Sequence, residues 1–320
     1  MVEEAFQKLG VDGIYMDQAC SSLACYDANH GHPIGGGKYW IDGFRLLAED
    51  IRARCAGRRQ IALAGEGCGE GWLPSLDLML SLQVSKERYS SPKDGWQPIP
   101  FFQAVYHPYC ILFGNYSSLT MPPYDDLWPA EFAPAEPLKL LDRKYSQQFL
   151  LEQARAFVWG QQPTVANFLP AQLRERHEET EFVIQLARLR SRALQYLQKG
   201  VFLRPPELEA PEATLPLSRL SIYAGQQGTL TSFEGRYPLV LGGAWRAPDG
   251  NVAVALANIA NDPITVPLVL QQKEYGTPRR GGIWRLGPSG RQPIGSFKGE
   301  RVSVAVPLAA REACLVEFGR

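Results

Sequence analysis

Two carboxylates follow short apolar segments of the chain, and their spacing could support acid–base and nucleophilic chemistry. Asp17 comes directly after Gly13–Met16, and Glu66 comes just after Ile61–Ala64. Parallel strands lie roughly 4.8 Å apart, and polar residues at their carboxyl ends share one edge of the sheet. If these segments are adjacent strands, the two carboxyl groups could lie about 5–5.5 Å apart in one cleft. At that spacing one carboxylate can attack an anomeric carbon while the other protonates the leaving oxygen.

The surroundings of the two acids are rich in aromatic and polar side chains. A long segment, Cys20–Trp40, separates Asp17 from the next helical pattern and contains three consecutive glycines. Long loops at this edge of a barrel commonly carry functional residues. We therefore predict that sugar-binding groups lie on this loop and on nearby strand ends. The candidates are Tyr15, Gln18, His30, His32, Glu70, Asp77, Tyr106 and His107.

Other interpretations of these residues remain open. Asp17 could cap a loop and Glu66 could form an ion pair, while Glu70 could replace Glu66 as the acid/base because only four positions separate them. Cys20, Cys25, His30 and His32 could be a metal set, but their spacing matches no common zinc motif. No phosphate-binding glycine motif or nucleophile elbow is present. We therefore expect neither a metal nor another cofactor.

Alternating patterns before residue 200 predict a parallel α/β sheet with crossover helices. Helical spacing of apolar residues appears in 1–10, 40–56, 145–156 and 174–197, and strand-like runs lie near 13–17, 60–65 and 156–163. The pattern indicates a short helix and a strand in 76–84, and a strand and a long loop in 101–115. These give four or five βα units, whereas a complete (β/α)₈ barrel needs eight. We therefore predict a partial (β/α)₈ TIM-type barrel, comprising about strands 4–8, with the earlier units missing from this chain.

The sequence pattern changes after Gly200. A segment rich in Pro and Glu is followed by short strand-like runs separated by turn residues, such as those at Pro248–Asn251. This pattern of short strands and turns is typical of an all-β sandwich. The predicted domains are therefore residues 1–200 as the C-terminal part of the barrel, 201–216 as a linker and 217–320 as an antiparallel β-sandwich without catalytic groups.

Composition narrows the partners that the chain could bind. Its 33 basic and 33 acidic residues give a formal net charge of zero. A nucleic-acid-binding protein needs a basic surplus to neutralise phosphates, so none is expected as a partner. No run of eighteen apolar residues predicts a membrane span, and no membrane partner is expected. The six cysteines form no CxxC pair, which favours free thiols.

Three motifs together resemble a known group of enzymes. DGIYMDQ, then QIALAGEGCGE, then SLDLML are similar to the core of endo-α-N-acetylgalactosaminidase-like glycosidases, and still more to uncharacterised bacterial glycosidase-like domains related to them. The resemblance covers about residues 8–85. It implies that Asp17 is the nucleophile on the fourth barrel strand and that Glu66 is the acid/base on the fifth. The segment HGHPIGGG makes the intervening loop longer than in that group. We therefore do not infer an N-acetylgalactosamine substrate from the resemblance.

We therefore predict a retaining glycoside hydrolase that acts on an oligo- or polysaccharide. Two alternatives remain: a non-catalytic carbohydrate-binding relative of the same barrel fold, and a different βα-barrel hydrolase or lyase that uses the same acids. Beyond a carbohydrate substrate, the expected partner is the missing N-terminal half of the barrel or a second copy of the chain, because a half-barrel exposes two sheet edges.

Overall fold

The protein is α/β, with a β-rich C-terminal region, and its chain forms two compact units. The computed structural model describes residues 2–21, 23–57, 60–67, 69–88, 98–121, 129, 131, 139–220 and 230–319. The first unit comprises 1–81 and 109–113, and the second comprises 82–108 and 114–320. Cys68, one of the cysteines predicted to be a free thiol, lies outside the described residues.

The first unit contains a parallel sheet of four strands in sequence order. The strands are β1 (Gly13–Met16), β2 (Ala62–Glu66), β3 (Leu78–Leu80) and β4 (Ile111–Phe113). Their pairing confirms that the segments preceding Asp17 and containing Glu66 are adjacent parallel strands. Met16 is opposite Gly65, so the register brings the positions of Asp17 and Glu66 to the same level.

Helical segments of the first unit follow the predicted pattern. They are α1 (Val2–Glu4) and the π-helical turn Ala5–Leu9, a 3₁₀ turn at Ala28–His30, α2 (Tyr39–Arg54) and a 3₁₀ turn at Glu70–Trp72. The first helical segment ends at Gly10, whose φ of 72° is the left-handed conformation that glycine adopts readily at a helix end.

The four-stranded sheet curves toward the face that carries the side chains of Tyr15 and Phe113. These residues lie on the two outer strands, β1 and β4, which would be about 14 Å apart in a flat sheet because neighbouring strands are about 4.8 Å apart. Their ring centroids are nevertheless only 6.2 Å apart, with an edge-to-face angle of 80°. The sheet is therefore strongly curved, with both rings on its concave face.

The second unit is centred on a six-stranded antiparallel sheet. Its order is β14–β13–β16–β11–β10–β7. The strands, in chain order, are β7 (Val201–Leu203), β10 (Val240–Arg246), β11 (Val252–Asn258), β13 (Arg280–Gly287), β14 (Gly290–Lys298) and β16 (Ala313–Gly319). Every residue of β11 and β16 is buried. This burial explains their nearly continuous apolar sequences, because a strand covered on both faces has no polar side.

Three smaller antiparallel pairs complete the β structure of the second unit. They are β12 (Ile264–Gln271) with β15 (Arg301–Leu308), β8 (Glu212–Leu220) with β9 (Leu230–Pro238), and β5 (Thr120–Met121) with β6 (Lys139–Leu140). Among the described residues from 217 onward, the one helix is the four-residue α8 (Gln272–Tyr275). This agrees with the predicted antiparallel β structure of the C-terminal region.

The six-stranded sheet has an apolar core on each face. One core lies between this sheet and the β12–β15 pair, with Val254, Leu268 and Val306 among its members. The other contains Trp245 and Leu315 together with residues of the helices. The helices of this unit are α3 (Phe101–Tyr106), α4 (Ser146–Val158), α5 (Gln172–Glu175), α6 (His177–Arg192) and α7 (Leu194–Leu197), besides 3₁₀ segments at Leu82–Arg88 and Arg143–Tyr145.

The structure differs from the sequence-based predictions in several segments. Residues 101–106, in a segment predicted as a strand and a long loop, form helix α3, and the long helix predicted over 174–197 is divided into α5, α6 and α7. Residues 156–163, predicted as a strand, complete helix α4 up to Val158 and then turn at Trp159 and Gly160. The predicted linker 201–216 contains strand β7 and the start of β8. Helices predicted to belong to the barrel share a core with the sandwich, so the contacts do not divide the chain at the predicted linker.

The helices of the described residues are too short or too polar to cross a membrane.

Candidate active site

The site consists of the two carboxylates at the carboxyl ends of β1 and β2. Asp17 is exposed in the turn after β1, and Glu66 is the half-buried last residue of β2. The backbone N–H of Gln18 donates to Glu66 Oε2 at 3.0 Å, and the N–H of Cys20 donates to the Glu66 carbonyl oxygen at 3.1 Å. These bonds attach the turn after β1 to the end of β2.

Local backbone geometry makes this attachment possible. Gln18 has a φ of 52°, a left-handed conformation that is uncommon for a residue other than glycine. Gly65 lies below the turn, where an added Cβ would come within 2.7 Å of Leu76 Cδ1 and 3.1 Å of Ala19 Cβ. A side chain at position 65 would therefore have to displace the Leu76 side chain and shift the turn slightly at Ala19, so glycine favours this close approach.

The electrostatics of the pair favour a proton on Glu66. Burial raises the pKa of Glu66, and a hydrogen bond with the Asp17 carboxyl and the negative charge of Asp17 raise it further. The N–H of Gln18 opposes these effects by stabilising the carboxylate form. Burial and the proximity of Asp17 therefore favour the protonated form of Glu66.

Cys20 is a neighbour of the pair that the sequence pattern did not assign to it. Burial, followed by the negative charge of Glu66, raises the pKa of the Cys20 thiol to about 11. The thiol is therefore protonated at neutral pH and is a poor nucleophile. It forms a weakly polar wall beside Glu66.

An aromatic and apolar surface lies beside the carboxylates on the concave face. The register places Leu80 and Phe113 level with Glu66, on the same face because aligned positions of parallel strands point the same way. Tyr15, two residues before Asp17, is 46% exposed. Phe113 was not among the predicted site residues, although its position at the end of the apolar run ILF is the same signal that identified Asp17 and Glu66.

His30 and His32 lie in the loop between β1 and α2, close to one another. Their ring centroids are 5.6 Å apart. His30 also contacts Asp27, and the ring of His32 stacks on Tyr39. Glu70, the alternative acid/base, is exposed at the start of a 3₁₀ turn that follows β2.

Asp77 has a structural role at the other edge of the sheet. It precedes β3, and its Oδ2 accepts bonds from the Leu63 N–H at 2.8 Å and from Arg52 Nη2 at 3.0 Å. The amino and carboxyl ends of parallel strands lie at opposite edges, so Asp77 is distant from the edge with Glu66. Its predicted sugar-binding role does not fit this position.

Tyr106 and His107 belong to the second unit. Tyr106 ends α3, with its ring against Phe102. His107 is buried, and both ring nitrogens lie against carbonyl oxygens, Nδ1 at 2.9 Å from Gln103 and Nε2 at 2.6 Å from Gly200. Burial lowers the pKa of His107, although these bonds oppose the shift. A side chain so enclosed cannot contact a sugar, so the predicted role of His107 does not fit its surroundings.

Comparisons with known proteins match mainly the part of the chain that carries this site. The model of a family described as "Domain of unknown function (DUF6259)" matches residues 1–117. A protein of Bacteroides thetaiotaomicron named "Putative glycoside hydrolase" is 30% identical over 114 residues, which are 35% of this chain and 16% of that protein. The chain therefore matches only a small part of the length of this relative, and the family match includes both carboxylates.

Solved structures with similarity to the chain include two glycosidases. A GH27 β-L-arabinopyranosidase from Geobacillus stearothermophilus has 12% identity and a TM-score of 0.49, over 99% of this chain and 60% of that one. The α-galactosidase I of Mortierella vinacea has 8% identity and a TM-score of 0.44, over 99% of this chain and 70% of that one.

Proposed function

We propose that this chain carries the catalytic carboxylates of a retaining glycoside hydrolase, with Asp17 as nucleophile and Glu66 as acid/base. The observation that carries the proposal is the register of β1 and β2, which brings Asp17 and Glu66 to the same level at the carboxyl ends of adjacent parallel strands. Inverting enzymes keep their carboxyl groups about 6.5–9.5 Å apart to admit a water, and retaining enzymes about 5–5.5 Å apart. Neighbouring parallel strands lie about 4.8 Å apart, so two carboxyl groups at matched register suit the shorter of these separations.

The two carboxyl groups differ in a way that suits this division of roles. Glu66 retains its proton to higher pH, as a general acid must before the leaving group departs. Asp17 is exposed at the turn, where a sugar can approach it. Attack by Asp17 forms a bond to the anomeric carbon while the leaving oxygen takes the proton of Glu66. Glu66, now ionised, then removes a proton from the water that releases the sugar from Asp17.

The proposed fold is part of a (β/α)₈ barrel, in which the concave face of β1–β4 is the interior. The ring contact between Tyr15 and Phe113 supports it, because rings on the two outer strands meet more readily when the sheet curves toward them. On the convex face Met79 and Leu112 are at most 3% exposed, whereas Tyr15 on the concave face is half exposed. We propose that further strands, or a second copy of the chain, cover the concave face in the active protein.

The substrate class proposed is an oligo- or polysaccharide. Aromatic rings can contact the C–H faces of sugars, while carboxylates accept hydrogen bonds from their hydroxyl groups. Tyr15 and Asp17 provide these two groups on one face of β1. The name of the Bacteroides relative is consistent with this class of substrate.

The proposal is tested by hydrolysis of a panel of aryl glycosides by the complete protein as its gene encodes it. Asp17→Ala should abolish turnover of every accepted substrate, because no glycosyl-enzyme can form. Asp42→Asn is the matched control, since this exposed aspartate lies in the first turn of α2, where its ion pair is with Lys38. Near-normal turnover by Asp17→Ala would show that the proposed mechanism is wrong.

A further inference from the structure

Three side chains of the loop between β1 and α2 converge in a way that the sequence spacing did not reveal. One ligand atom each from Cys25, His30 and His32 lies within 4.8 Å of the others. The Sγ of Cys25 is 3.2 Å from Nδ1 of His30. Cys20, which the sequence grouped with them as a possible metal set, is instead adjacent to Glu66.

We propose that Cys25, His30 and His32 bind a zinc ion, with a fourth position open to solvent. Thiolate and imidazole are the ligands that Zn²⁺ prefers, whereas Mg²⁺ and Ca²⁺ take oxygen ligands. The inference is independent of the proposed glycosidase activity, because it rests on the loop alone.

Neighbouring groups leave one nitrogen of each histidine available to the metal. Nε2 of His30 lies 3.1 Å from Asp27 Oδ2, so an N–H there leaves Nδ1 with its lone pair toward Cys25. Nδ1 of His32 lies 2.9 Å from the Pro33 carbonyl oxygen, which accepts its N–H and leaves Nε2 free of a proton. Such an outer carboxylate or carbonyl is the usual partner of a metal-bound histidine.

The backbone and an aromatic side chain hold this loop in shape. Cys25 and Gly35 exchange two backbone hydrogen bonds, at 3.1 and 2.7 Å. The hydroxyl of Tyr39 accepts from the Cys25 N–H at 2.9 Å and lies 2.7 Å from the Gly35 carbonyl oxygen. The ring of Tyr39 also stacks on His32, with centroids 3.9 Å apart and planes 6° apart. Tyr39 therefore positions Cys25 and His32, two of the three proposed ligands, in the metal-free loop.

The distances fit zinc after a small contraction. Zn–S bonds of about 2.3 Å and Zn–N bonds of about 2.0–2.1 Å place tetrahedral ligand atoms about 3.3–3.6 Å apart. The contact between Cys25 and His30 is already near this range, and a separation at the 4.8 Å limit of the set would have to shorten by about 1.2–1.5 Å. His30 is exposed and His32 is half-buried, so both rings have space to make this movement.

The experiment uses the full chain, stripped of metal by a chelator and titrated with ZnCl₂ by calorimetry. One equivalent should bind, and Co²⁺ in its place should give a thiolate-to-cobalt charge-transfer band in the near ultraviolet. Cys25→Ser should remove that band. Asp27→Asn should weaken Zn²⁺ binding by about 10–100-fold without abolishing it.

Cys20→Ser is the matched control, because it removes another half-buried thiol of the same loop but not a proposed ligand. It should bind Zn²⁺ as tightly as the parent chain and keep the cobalt band. Circular dichroism of every variant checks that the fold is intact. The proposal is overturned if the metal-free chain binds no zinc, or if Cys25→Ser and His32→Ala, both folded, bind it with unchanged affinity.

Discussion

Asp17 raises the pKa of the neighbouring Glu66 carboxyl group, and this effect can be measured without any substrate. The pKa of Glu66 is raised above its ordinary value of 4.5, first by burial and then by Asp17. Asp17→Asn removes the negative charge, so the pKa of Glu66 should fall, but burial should hold it above the ordinary value. A ¹³C NMR titration of the Glu66 carboxyl measures both values.

A control variant and the pH dependence of unfolding provide two further checks on the pKa of Glu66. Asp42→Asn should leave the pKa of Glu66 unchanged, and an unchanged pKa in Asp17→Asn would disprove the coupling. Because the pKa of Glu66 is raised on folding, the folded state keeps a proton that the unfolded chain releases. The contribution of Glu66 to the free energy of unfolding is therefore fully present below pH 4.5 and is lost as pH rises through the raised pKa. Glu66→Gln should remove that part of the pH dependence of unfolding.

The sequence identified Asp17 and Glu66 because both stand where an apolar run ends, and strand ends are set by local patterns. The sequence pattern could not distinguish Asp77 from these two residues. Strand limits are predicted only to within a few residues, so an acidic residue just before a strand cannot be told from one just after it. His107 has no local signature of burial either. Its environment depends on the Gly200 carbonyl oxygen, 93 positions away.

At the element scale, Asp77 joins β2, β3 and α2 through its bonds to Leu63 and Arg52. Asp77→Ala leaves the Leu63 N–H without this partner, and we expect a loss of about 1–3 kcal/mol in the free energy of unfolding. Asp50→Ala is the control, because it removes only an exposed ion pair with Arg54 and should cost less than about 1 kcal/mol. Chemical denaturation measures both; equal losses would contradict the structural role of Asp77.

Segment 156–163 shows why one element was predicted wrongly. The run AFVW is apolar at every position and reads as a buried strand, but its first three residues complete α4, where 11 of 13 residues are buried. Four consecutive apolar residues at the end of a buried helix show no helical periodicity, so the pattern cannot distinguish them from a buried strand. The helix ends at Val158, and the chain turns at Gly160, whose φ is 74°.

At the scale of the whole molecule, the second unit joins helices and sandwich in one core. Two buried ion pairs join α4 to the 3₁₀ segment Leu82–Arg88: Arg88 binds Glu152 of α4 at 2.7 Å, and Arg155 of α4 binds Glu87 at 3.0 Å. Tyr237 of β9 also donates to Glu87 at 3.1 Å. The change of composition near residue 200 was correctly read as a change of secondary structure, but it does not coincide with a boundary between cores.

This shared core predicts how pieces of the chain behave. Residues 217–320 alone would expose the apolar face that contains Trp245 and Leu315, so this piece should remain unfolded or aggregate. The longer piece 82–320, which retains the helices, should fold. Circular dichroism and thermal unfolding compare the two. A cooperative transition in 217–320 alone would show that the sandwich is an independent domain after all.

The central claim, that Asp17 and Glu66 form a catalytic pair, is tested most directly by azide rescue in the complete protein. Glu66→Ala should be least impaired on substrates with activated leaving groups, which need no protonation. Added azide should restore part of the lost rate by attacking the sugar held on Asp17, and should yield a glycosyl azide of retained configuration. Glu70→Ala should show no such rescue. Rescue of Glu70→Ala but not of Glu66→Ala would contradict the assignment.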